Sequence, residues 1–142
     1  MVLLVAAQPA QSPAQLVAAL RAKDIDQRFA AIEAVVAKAD AGSERLLQPL
    51  LRDKDWEIQE RIAQALGQLQ SASSLTKLVD LAVDGDCIRL RRTAALAVAK
   101  IDPAEGAARI FKKAKKKRLV AALEALALVL RSKPAFEDAD KL

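Results

Sequence analysis

The chain has 142 residues, a formal net charge of +5, no histidine, no tyrosine and a single cysteine, which excludes an internal disulfide and the usual zinc ligand sets. Apolar residues make up 53% but aromatics only 3%, so the core is built from Ala, Leu, Val and Ile, and the weight of Ala and Leu favours helices over strands. Four Gly and five Pro leave little material for hairpin turns, and the length suits one all-α domain with a continuous core.

Residues 1–12 open the chain. Val2 to Ala7, followed by Gln8-Pro9-Ala10, reads like the end of a secretory signal. The basic n-region is missing, however, and the apolar run is shorter than the roughly 7 to 15 residues of such a signal. The segment is read as an N-terminal extension of a cytoplasmic chain, with export to the periplasm as the alternative if it is a signal remnant. No later apolar stretch approaches the roughly 20 uncharged residues of a membrane span, so a soluble chain is expected.

From Pro13 onward helical patterns come in pairs. Pro13 to Ala22 places Leu16, Val17 and Leu20 on one face behind an early Pro. Asp26 to Ala39 follows, with Phe29, Ile32, Val35 and Val36 as its stripe. The second pair is Ser43 to Arg52, with Ser43 as N-cap, and Trp56 to Leu69, with Gly67 near its end. The third is Ser74 to Val83 and Cys87 to Ile101. The fourth is Pro103 to Ala114 and Arg118 to Leu130, stopped by Ser132-Lys133-Pro134. The expected modules are 13–40, 43–70, 74–102 and 103–131, with 134–142 as a tail or the start of another module.

Acidic triplets separate the members of the first three pairs: Asp24-Ile25-Asp26, Asp53-Lys54-Asp55 and Asp84-Gly85-Asp86. Their first residues are 29 and 31 positions apart, and 31 positions further on the chain reads Lys115-Lys116-Lys117. A near-constant period in this range marks a solenoid, whose units bury their apolar faces only against one another. The second helices overlay as well. Ile58 to Leu69 fits Leu90 to Ile101 at an offset of 32, with the first, fifth, eighth, ninth and twelfth positions apolar in both. The eighth position gives a ladder of Ala34, Ala65, Ala97 and Ala125, where a small side chain lets the neighbouring helix approach closely.

An acidic turn, an apolar residue, basic residues and then Ala63-Gln64-Ala65-Leu66-Gly67 resemble the short HEAT-like repeats of phycobilisome (bilin) lyases and many bacterial adaptor proteins. Asp53 to Leu69 carries the best match and Asp84 to Ile101 the next, within a resemblance spanning roughly Pro13 to Leu130. It implies a right-handed α-solenoid of about four helical hairpins. In that family an Arg after the first apolar position braces the acidic turn; Arg28 and Arg91 fit, whereas Gln59 and Leu119 depart. Tetratricopeptide arrays have a similar period of about 34, but their Trp, Gly-Tyr and Phe signature is absent. The resemblance implies a non-catalytic scaffold that binds a protein partner, and no catalytic motif comes with it. Because second helices usually line the concave face of such arrays, the off-stripe residues Glu60, Arg61, Gln64, Arg92, Lys100 and Glu124 are the candidate contacts.

The triplets read as helix caps, in which an Asp accepts bonds from free N–H groups at the positive end of the helix dipole. A calcium loop would need about six oxygen ligands and a distal bidentate Glu, which no triplet supplies, so no metal or cofactor is assigned. Cys87 reads as a small apolar residue near a helix start, and Trp56 as a packing residue at an inter-helix corner. No Gly-rich phosphate loop or nucleophile motif points to an enzyme.

Charge is uneven along the chain. Residues 1–71 carry 8 basic and 9 acidic side chains, and residues 72–142 carry 15 and 9. Lys112, Lys113, Lys115, Lys116, Lys117 and Arg118 form a cluster that suits phosphates of nucleic acid, another anionic surface or an acidic segment, and equally a solvated turn. Trp56, Phe29, Phe111 and Phe136 are too few and scattered to stack single-stranded bases. Nucleic-acid or anionic-surface binding through the lysines is therefore the alternative to a protein partner.

Overall fold

A computed structural model describes residues 11–131. Its eight α-helices are α1 (Pro13–Leu20), α2 (Ile25–Lys38), α3 (Ala41–Leu47), α4 (Trp56–Gln68), α5 (Leu75–Asp84), α6 (Ile88–Ile101), α7 (Pro103–Lys113) and α8 (Leu119–Arg131). Short 3-10 turns occupy Gln48–Arg52, Ala72–Ser74 and Lys116–Arg118. The even-numbered helices pack in series, α2 on α4, α4 on α6 and α6 on α8. Each also meets the odd-numbered helix before it, which makes two layers of an α-solenoid. The segment 1–10, the Ser132-Lys133-Pro134 stop and the tail with Phe136 lie outside the described residues. No helix among the described residues is long and apolar enough to cross a membrane.

Local chemistry sets the helix starts. Ser12 opens α1 with a reciprocal capping box, its amide donating to Gln15 Oε1 at 2.8 Å, and Pro13 provides a fixed φ. Asp24 caps α2 by accepting from the amides of Asp26 and Gln27 at 2.8 and 3.0 Å. The expected cap at Ser43 is corrected: α3 begins two residues earlier, with Asp40 as N-cap and Ser43 three positions in, completing the box. Ser43 is buried, and its hydroxyl donates to the Val35 carbonyl at 3.0 Å, which draws it away from a cap position. The expected helix through Arg52 tightens to 3-10 from Gln48 because Pro49 has no amide to give the α-helical ladder.

The core follows the stripes read from the sequence. Leu16, Ile58, Ile62, Leu66, Leu78, Leu90 and Ile110 are fully enclosed. Ala65, Ala97 and Ala125 are buried, whereas Ala34 is only half-buried. A close backbone approach comes from Gly67 of α4, which lies inside the helix: a Cβ there would stand 2.9 Å from both Cα and Cβ of Ala97. Glycine at this position and alanine at the next are what let α4 and α6 pack backbone to backbone.

Candidate partner-binding faces

The exposed side of the even-numbered helices carries two adjoining grooves. One, about 250 Å³, runs between α2 and α4 and is lined by Ile32, Glu33, Val36, Arg61, Gln64 and Gln68. The other, about 580 Å³, runs between α4 and α6 and is lined by Glu60, Gln64, Thr93, Leu96, Ala97 and Lys100. Gln64 belongs to both. Of the contacts read from the sequence, Glu60, Gln64 and Lys100 come together in the larger groove and Arg61 stands in the smaller one. Arg92 is exposed but borders neither. Glu124 lies apart, in a third groove with Asp84, Arg91, Lys117 and Arg118.

A clamp that the sequence reading missed bridges these helices twice. The Arg61 guanidinium of α4 lies 5.2 Å from the ring centroid of Phe29 and 3.8 Å from Glu33, both on α2. One repeat later, Arg89 of α6 lies 5.3 Å from the Trp56 ring and 2.9 Å from Glu60, both on α4. Each clamp is an aromatic and a Glu four residues apart, on one helical face, met by an Arg of the next helix. Aromatic-x-x-x-Glu in Phe29–Glu33 and Trp56–Glu60 was the available signal. Glu60 also accepts from the Thr93 hydroxyl at 3.1 Å, and its side chain is only 17% exposed. It therefore works mainly inside the array. Trp56 is half-buried under Arg89, at the corner where a packing residue was expected.

The acidic triplets do different jobs. Capping by side chain holds for Asp24, but Asp55 stands at the start of α4 without a side-chain cap bond, and Cys87 rather than Asp86 heads α6. Cys87 is half-buried, and its sulfur accepts a long 3.5 Å bond from the Leu90 amide. Asp53 and Asp84 instead receive guanidinium groups from neighbouring repeats. Arg28 is buried, donates through Nε to the Leu20 carbonyl at 2.9 Å, and forms an ion pair with Asp53. Burial acts to raise the Asp53 pKa, but hydrogen bonds from Arg28 and the Asp55 amide, with the charges of Arg28 and Lys54, hold it below its ordinary value. Arg118 reaches Asp84 at 2.6 Å, one residue before Leu119, where the family brace is missing. Gln59 keeps the brace despite the substitution, donating to the Asp53 carbonyl at 2.8 Å, as Arg91 does to that of Gly85 at 3.1 Å.

The basic cluster divides in two. Lys113 pairs with Asp80 at 2.7 Å and Arg118 with Asp84, so both tie their repeat to α5. Lys112, Lys115, Lys116 and Lys117 are exposed, and among the described residues no carboxylate pairs with them. Lys116 takes a left-handed φ of 50° in the turn that replaces an acidic triplet. Among the described residues no group of three or more Asp, Glu or Cys is placed to hold a metal ion.

Comparison with known proteins agrees with this architecture. A family model described as HEAT repeats matches residues 13–99 and again residues 44–127. No curated protein matches the chain. The two overlapping matches cover the paired helices from α1 to the greater part of α8, and the chain belongs to the HEAT-repeat family.

Proposed function

We propose that this chain is a non-catalytic scaffold that binds a protein partner along the exposed face of α4 and α6. HEAT repeats generally serve as protein-interaction scaffolds. The observation that carries the reading is the pair of grooves meeting at Gln64, with Leu96 and Ala97 in the larger one and Arg61 and Lys100 at the edges. An apolar centre with a polar rim is the pattern of protein interfaces. Arg61 and Lys100 are exposed, so reversing both costs the Arg61 clamp on Phe29 and Glu33 but changes no buried side chain. Affinity capture from a lysate of the source cells with wild type and with Arg61→Glu/Lys100→Glu, followed by mass spectrometry, tests this. The reading expects a protein retained by wild type to be lost from the variant; an unchanged set of captured proteins sinks it.

A second reading rests on Lys112, Lys115, Lys116 and Lys117, four exposed cations without carboxylate partners among the described residues. It assigns them to an anionic surface such as duplex DNA. Binding of that kind weakens steeply as salt rises, because counterions are released. Retention on a heparin column at low salt that Lys116→Glu/Lys117→Glu abolishes supports it, and passage through the column at low salt removes it.

A further inference from the structure

Among the described residues, no further even-numbered helix packs on the surface of α8 that its counterparts bury. With Ala65, Ala97 and Ala125 as equivalent positions, Ala63 and Gly67 of α4 correspond to Ala95 and Ala99 of α6, and to Leu123 and Ala127 of α8. On α4 this surface meets the next even-numbered helix at Gly67, against Ala97, and Ala63, Ala95 and Ala99 are 0%, 1% and 8% exposed. On α8 Leu123 is 53% exposed, and Leu119, Val120 and Leu130 on the same side are 45%, 68% and 52%. At 3.6 residues per turn these four side chains span an arc of roughly 100°, the width of the apolar stripe of an amphipathic helix.

The change in size bears on what fits. Leu123 stands where α4 and α6 carry Ala63 and Ala95. A helix seated here meets larger side chains and cannot come as close as α6 comes to α4 at Gly67 and Ala97. The charges at the amino-terminal border are cationic. Lys116 and Lys117 lie directly ahead of Leu119, exposed, with no carboxylate partner among the described residues. Glu124 adjoins the far side of the face, in the groove it shares with Val120, Arg91, Lys117 and Arg118. An apolar stripe with free cations at its amino-terminal end complements an amphipathic helix whose carboxylates lie at the facing end.

We infer that this end face docks an amphipathic helix of a partner protein, its apolar side on Leu119, Leu123 and Leu130 and its acidic residues against Lys116 and Lys117. This deepens the scaffold reading by adding a surface distinct from the grooves around Gln64. The test is selection, on the full chain, from displayed 18-residue peptides with leucines fixed at helical spacing and flanking positions drawn from Glu, Lys and Ser. Recovered peptides are then measured by fluorescence anisotropy.

The expected result is enrichment of Glu in the flanks, with binding weakened at least tenfold by Leu123→Ser/Leu130→Ser and at least threefold by Lys116→Glu/Lys117→Glu. Arg61→Glu/Lys100→Glu should leave it unchanged. Recovery of no binder, enrichment of Lys, or indifference to Leu123→Ser/Leu130→Ser overturns the proposal. A concentration-dependent dimer in sedimentation that the same double variant abolishes assigns the face to a second copy, and also overturns it. Peptide binding that depends only on Arg61 and Lys100 keeps the scaffold reading and removes this one.

Discussion

Arg28 and Asp53 join the first and second repeats through a nearly enclosed ion pair. The same guanidinium holds the Leu20 carbonyl at 2.9 Å, so one side chain ties the end of α1, the start of α2 and the turn before α4. Removing it leaves a nearly enclosed carboxylate without its cation and a carbonyl without its donor. Arg28→Ala is expected to lower stability by about 3 kcal/mol, near the low end for breaking one side of a buried pair. Urea denaturation followed by far-UV circular dichroism measures this, and a change under 1 kcal/mol would show that the pair contributes little.

Asp53 also sets an acid dependence. Its folded-state pKa lies below the ordinary value of 3.8, so its contribution is complete above that pH and disappears as pH falls through the lower folded-state value. Asp53→Asn should therefore be less stable than wild type at neutral pH, with the gap closing below about pH 4. Thermal unfolding midpoints from pH 2 to 7 test this; a constant gap contradicts it.

Gly67 and Ala97 give a steric prediction. Alanine is favoured over glycine inside a helix by about 1 kcal/mol, but a Cβ on residue 67 stands 2.9 Å from the Ala97 backbone. Overpacking of this kind costs about 1 to 3 kcal/mol, so Gly67→Ala should be net destabilising. Adding Ala97→Gly should recover part of the loss, since it removes one of the two crowded atoms. The coupling is read from a double-mutant cycle, and additivity of the two substitutions would rule out the close approach as the cause.

Ala39 ends α2 in the left-handed region, with φ of 45°. Left-handed backbone costs a residue with a Cβ roughly 1 to 2 kcal/mol, part of which glycine returns as lost chain freedom. Ala39→Gly is expected to stabilise the protein by about 0.5 to 1 kcal/mol. A decrease in the unfolding midpoint would contradict that account of the cap.

The helices were legible because their signals are local. Apolar period, proline and glycine placed most helix ends within a residue or two of those observed, from Pro13–Leu20 to Leu119–Arg131. The ladder at Ala65, Ala97 and Ala125 was legible because a repeat imposes the same packing at each step. What escaped was pairing between repeats. Asp53 and Asp84 look like caps in sequence, yet guanidinium groups 25 and 34 positions away engage them. Ser43 looks like a cap until the Val35 carbonyl is brought against it. Glu60 looks exposed by register, but Arg89 and Thr93 of the next repeat fold over it. None of these partners is local, so helix periodicity could not announce them.

The most direct measurement is site-specific photo-crosslinking in the source cells, with a photoreactive residue at Gln64 or Lys100 on the groove side, and at Arg45 or Ala108 on exposed odd-numbered helices. The account predicts that the two groove positions trap one and the same protein and that Arg45 and Ala108 do not. Trapping of that protein from the odd-numbered helices alone, or of nothing from either groove position, would contradict it.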